Sequence, residues 1–148
     1  KKRVSLRRPS RRFDSPFGKE RVKESSHNIV IVDTSGSCLN DIPKFLGVIQ
    51  RACRKYNTTV DLLFTTTTPY AIYKDQRKLD VEKYDIQSGG TDLSKAQEYI
   101  IKNYPKDSSV VVITDGVTAW HEWSYDTKVI YTQEHHPIPG IKKSAILD

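Results

Sequence analysis

Asn28-Ile29-Val30-Ile31-Val32-Asp33-Thr34-Ser35-Gly36-Ser37 is the stretch whose reading decides the fold: four aliphatic residues in succession, then a carboxylate and hydroxyls. Such a run fits a strand covered on both faces, as in a parallel sheet with helices on either side. Asp33 then stands at the strand's carboxyl end, and in open α/β sheets ligands bind just beyond those ends. The spacing Asp33-x-Ser35-x-Ser37 lets three oxygens converge in an extended turn, with Gly36 leaving the backbone room to bend. Oxygen donors of low total charge suit a hard divalent cation.

Working outward, Ser109 to Thr114 repeats this logic, an apolar run ending in Asp115-Gly116. If the two strands are neighbours at the switch point of the sheet, Asp33 and Asp115 face each other across one crevice. Leu39 to Tyr56 is the clearest helix, with Ile42, Phe45, Leu46, Ile49, Ala52, Cys53 and Tyr56 on one face. Asn40 or Asp41 is its expected cap, Pro43 fits the first turn, and its amino end points toward the Ser-Gly-Ser loop. Thr58–Thr65 and Tyr70–Lys74 are predicted strands joined as a hairpin through Thr66 to Pro69. Leu79 to Gln87 is charged and carries no clear period.

Ser88-Gly89-Gly90-Thr91-Asp92 is a turn leading into a second amphipathic helix with Leu93, Ala96, Tyr99, Ile100 and Tyr104; Asp92 suits its cap. Between Gly116 and Asp126 no helical period exists. Trp120-His121-Glu122-Trp123 therefore sits in a loop, as a contact surface or as packing over a thin flank. Lys128–Thr132 and Ser144–Leu147 complete the expected strands.

A chain of 148 residues buries one ordinary core, so a single domain over 27–148 is expected, preceded by a basic arm or linker over 1–26. Residues 1–24 hold ten Lys or Arg against three acids, whereas residues 25–148 hold fourteen against fifteen. The cluster Arg7-Arg8-Pro9-Ser10-Arg11-Arg12 suits a solvated linker, an arm held by a preceding domain, or contact with RNA or other nucleic acid phosphates. No apolar run reaches the length of a membrane span and no secretory signal is seen, which favours a cytoplasmic setting. The absence of methionine suggests a processed chain or the tail of something longer. Cys38 and Cys53 lack metal-ligand spacing and are expected to be reduced and structural. His27, His121, His135 and His136 show no metal spacing either and are expected on exposed loops.

Asp33-x-Ser35-x-Ser37, Thr91 after Gly89-Gly90, and Asp115-Gly116 after an apolar strand together resemble the metal-ion-dependent adhesion site of von Willebrand factor type A (VWA) domains. The resemblance spans residue 28 to about residue 132. It implies an α/β fold with a doubly wound, mostly parallel open sheet, Rossmann-like, with an antiparallel hairpin at one edge. It also implies Mg2+ or Mn2+ held by the hydroxyls of Ser35, Ser37 and Thr91, with Asp33 and Asp115 binding directly or through water. A protein partner would present an acidic side chain to that ion, from an upstream domain or a ring-forming AAA+ ATPase. More narrowly, Gly-Gly-Thr-Asp and the Arg-Pro-Ser-Arg-Arg stretch look like the VWA-like carboxyl-terminal half of predicted metallopeptidase-like proteins. The chain is short for a VWA domain, since 65–88 and 116–127 leave little room for helices.

Catalysis is not expected. A haloacid-dehalogenase-type phosphatase needs a carboxylate where Ser35 stands, a serine hydrolase needs Gly-x-Ser-x-Gly, and zinc peptidases need His-Glu-x-x-His.

Overall fold

The apolar runs become adjacent strands because each is buried on both faces. The computed structural model describes residues 27–147. Eight elements follow in order: β1 (Asn28–Asp33), α1 (Ile42–Tyr56), β2 (Val60–Thr65), β3 (Pro69–Gln76), α2 (Leu93–Asn103), β4 (Ser109–Thr114), β5 (Asp126–Tyr131) and β6 (Lys143–Ile146). They build one six-stranded sheet of order β3-β2-β1-β4-β5-β6. All pairs are parallel except β2 with β3, the expected edge hairpin. Strand order reverses at β1, which pairs with β2 on one side and β4 on the other, Val32 lying opposite Ile113. The small α/β fold and its mostly parallel sheet are thus as expected. The basic segment 1–26 lies outside the described residues.

Alternation along β1 assigns its side chains to two layers. Val30 and Val32 join Ile42, Phe45, Leu46 and Ile49 of α1, while Ile29 and Ile31 join Leu93, Ala96 and Ile100 of α2. Every one of these is at most 1% exposed, and each large aliphatic or aromatic among them contributes about 1.5–3 kcal/mol by leaving water. Helix α1 ends at Asn57, whose left-handed backbone (φ 52°) turns the chain into β2.

The start and the cap of α1 differ from the sequence expectation. The helix proper begins at Ile42, after a short 3-10 turn over Leu39–Asp41, and neither Asn40 nor Asp41 caps it through a side chain. The backbone of Asp41 is already helical (φ −97°, ψ −5°) rather than extended, so its carboxylate is not turned onto the free amides of the first turn that follows. Asp92, extended at φ −152° and ψ 93°, does cap α2, accepting from the Ser94 amide at 3.1 Å. Leu79–Gln87, charged and without a clear period, places Leu79 and Tyr84 buried on the α1 face, where Tyr84 meets Phe64 at 5.4 Å and Tyr73 at 4.8 Å between ring centroids.

The flank beyond β4 is covered by loops. Trp120, Trp123 and Ile141 pack against the α2-side core where a helix would otherwise lie, and the Trp123 indole donates to Thr127 at 2.8 Å. The tryptophan loop therefore packs as part of the domain.

At the opposite end of the sheet from Asp33, the buried Asp61 carboxylate accepts from the Tyr104 hydroxyl at 2.6 Å and the Asp75 amide at 2.9 Å. Burial, then the Asp61 hydrogen bond, raise the Tyr104 pKa. A raised folded-state value means that stability is full below the ordinary tyrosine pKa of about 10 and is lost as pH rises beyond it. Tyr104→Phe should lower the unfolding free energy at neutral pH by about 1.5–3 kcal/mol. It should also flatten the alkaline fall in stability, both checked by urea unfolding across pH; an unchanged midpoint would show that water replaces the hydroxyl at no cost.

Candidate metal centre

Each side chain of the site is delivered by the end of a strand or the start of a helix. Asp33 closes β1 and is fully buried; Asp115 follows β4 and is 9% exposed. Because β1 and β4 are neighbours, the two carboxylates flank the switch point, as the strand pattern suggested.

Asp33 Oδ1 accepts from the Ser35 amide at 2.9 Å, the turn that bends the chain away from the sheet. The same oxygen accepts from the Thr91 hydroxyl at 3.4 Å, and Oδ2 accepts from the Thr114 hydroxyl at 2.7 Å. Ser35 and Ser37 place their hydroxyls 3.3 Å apart, and Ser37 donates to Asp115 Oδ2 at 2.5 Å. Thr91, Asp33, Ser35, Ser37 and Asp115 thus form one hydrogen-bonded chain. The structure brings together all five residues that the resemblance singled out.

Close backbone approach fixes that chain. Ser35 bridges Gly89, and a Cβ on Gly89 or Gly90 would come to 3.3 Å from Thr66 or 3.1 Å from Thr67. The Asp92 amide donates to the Thr66 carbonyl at 3.1 Å, which seats Thr91. Gly116 has φ +87°, and a Cβ there would lie 1.7 Å from the His136 carbonyl oxygen, so only glycine fits. Its neighbour Asp115 accepts from the His136 amide at 2.8 Å, while Val117 donates its amide to Asp115 Oδ1 at 3.0 Å.

Two participants escaped the sequence reading. Thr114 is buried; it donates to Asp33 and accepts from the Gly116 amide at 3.1 Å, tying both aspartate turns together. Cys38, expected to be merely structural, is fully buried within the site. Its sulfur lies 3.6 Å from Ser35 Oγ, and Asp33, Cys38 and Asp115 offer ligand atoms within 4.8 Å of one another. Local cysteine spacing missed it because the group converges from two strand ends, although its place directly after Ser37 was the available signal. Burial, and then the charge of Asp33, push the thiol up to about 12, so it stays protonated at neutral pH. Cys53 is buried in the α1-side core as expected. His27, His121 and His136 are exposed, and His135 is half-buried and stacked on Tyr131 at 4.5 Å.

Asp33, Cys38 and Asp115 form a group that could hold a metal ion. Both carboxylates are enclosed, and neither forms an ion pair among the described residues, whose ion pairs are Lys95–Glu98 and Lys143–Asp126 on the surface. Two neighbouring carboxylates out of water with no ion-pair partner among the described residues leave room for a bound positive ion.

A small, doubly wound, mostly parallel sheet with one antiparallel edge pair is the architecture of a VWA-like domain. Residues 29–139 match the family model described as VWA-like domain (DUF2201), and the chain belongs to that family. No curated protein matches the chain. Among the described residues no helix is long and apolar enough to cross a membrane.

Repulsion between the carboxylates is measurable without knowing any ligand. In chelator-treated protein, Asp115→Asn should raise the unfolding free energy by about 1–3 kcal/mol, because one of two close buried charges is removed while the amide oxygen still accepts from Val117. A loss of stability in urea titration would show that hydrogen bonding to Asp115 outweighs the repulsion.

Proposed function

We propose that this domain is a divalent-metal-dependent protein-interaction module, with Asp33, Ser35, Ser37, Thr91 and Asp115 as the holders of Mg2+ or Mn2+. The observation that carries the reading is the pair of enclosed aspartates, linked through the Ser35 amide and the hydroxyls of Ser35 and Ser37, with the Thr91 hydroxyl also on Asp33, and with neither aspartate in an ion pair among the described residues. A bound cation would supply an electrophilic centre that accepts a carboxylate from a partner. The protein's own residues set its character. Asp33 and Asp115 would hold the ion with two carboxylates, and the hydroxyls of Ser35, Ser37 and Thr91 would add neutral oxygens, so that a position left open could take a partner's carboxylate. Gly36 and Ser37 are exposed, so the loop side of the site faces solvent. Thr114, by holding Asp33 Oδ2 from behind, fixes the direction of the first carboxylate.

The partner in this reading presents an aspartate or glutamate, on an upstream domain of the same protein or on a ring-forming AAA+ ATPase. The hydroxyls of Ser35 and Ser37 bond each other, Cys38 and Asp115, with no histidine among their partners, which supports binding over hydrolysis. Two free buried thiols accord with a reducing, cytoplasmic setting.

Calorimetric titration with magnesium or manganese should give one site in the natural chain and none in Asp33→Ala. Thr114→Val, close in shape but without the hydroxyl, should weaken the metal by roughly 10- to 100-fold while the domain stays folded. Undiminished binding in Asp33→Ala would place the ion elsewhere. Phosphate ester, acyl ester and peptide substrates should remain intact with either metal; turnover abolished by Asp33→Asn would overturn the binding-module reading.

A further inference from the structure

Next to the aspartates, the loops that stand in for helices enclose a cleft of about 260 Å³ lined by Gly116, Thr118, Trp120, Glu122, Ile138, Pro139 and Gly140. Its walls are fixed at several points. On one side Thr118 accepts from the Leu93 amide at 2.8 Å, and the Gln97 amide group, buried to 2% exposure, exchanges bonds of 2.7 and 2.9 Å with the backbone of His121. On the other, the Ile138 amide donates to the Tyr131 hydroxyl at 2.8 Å. The cleft is therefore formed in advance, which lowers the ordering cost of binding.

Its chemistry is specific. Trp120 offers a half-buried indole, with Ile138 and Pro139 as apolar lining. Glu122 is exposed and has neither an ion pair nor a hydrogen bond among the described residues. Gly140, at φ +88°, keeps that carboxylate uncovered: a Cβ there would stand 3.5 Å from Glu122 Oε2. An aromatic face, an apolar slot for a hydrocarbon stem and one open carboxylate match a planar cation, because guanidinium stacks on indole while its N–H groups pair with carboxylate.

We propose that this cleft binds an arginine side chain of a protein partner. The choice of a protein as partner rests on the interaction-module reading, whereas recognition in the cleft needs no metal. Because Gly116 directly follows Asp115, the arginine and the metal-seeking acid would belong to one partner surface.

The test is a nitrogen-15 NMR titration of the full chain in chelator with N-acetylarginine amide, following the indole resonance of Trp120, assigned with Trp120→Phe. It should move saturably. N-acetylcitrulline amide, neutral and of the same shape, should leave it in place, and Glu122→Gln, an exposed change that leaves folding alone, should weaken arginine binding roughly three- to fivefold. Equal shifts with citrulline amide, no shift with arginine amide, or unchanged affinity in Glu122→Gln would each overturn the proposal. Arginine binding that persists where magnesium calorimetry shows no site would retain the cleft and reject the metal reading alone.

Discussion

The parallel pairing of β1 with β4 is the constraint on which the site depends. It sets two strand ends side by side, and each end carries an aspartate that the sheet has already taken out of water. A chain that buries two such groups has to supply them with donors, and the hydroxyls of Ser37, Thr91 and Thr114 together with the amides of Ser35 and Val117 do so. Hydrogen bonds alone leave the charge in place. The two carboxylates are therefore satisfied by hydrogen bonds while neither has an ion-pair partner among the described residues.

Precision comes from backbone rather than bulk. Gly89 and Gly90 let the segment before α2 press against Thr66 and Thr67, and Gly116 lets the chain after β4 pass beneath the carbonyl of His136. This bracing holds two pairs of loops at contact distance, and the five singled-out residues sit at or beside those contacts. Thr118 and Gln97 extend it, tying the stretch after Asp115 to the helix that follows Thr91.

Much of this was legible in the residues. Runs without alternation, such as Ile29–Val32 and Val110–Ile113, announce doubly covered strands, and an aspartate at the end of each marks the crevice. What escaped depends on contacts distant in sequence. Thr114 looks like one more strand residue until its neighbour across the β1–β4 pair is known. Cys38 looks like an apolar filler until the turn closes. Charges around Leu79 and Tyr84 masked two buried anchors, because a 3-10 turn between them breaks any regular period. The capping role of Asp41 failed for a local reason, a preceding tight turn that had already wound its backbone.

The sheet is also lopsided. β1 lies between two strands and two layers of side chains, whereas β6 has four residues, one neighbour and an Ile146 that is 54% exposed. Backbone amides should accordingly exchange with solvent hydrogen on very different timescales across a few strands, slowest in β1 and β4 and fastest in β6. The outer strand can then peel away and return without loosening the two aspartates, so opening at the margin of the sheet and order at its centre are separate events.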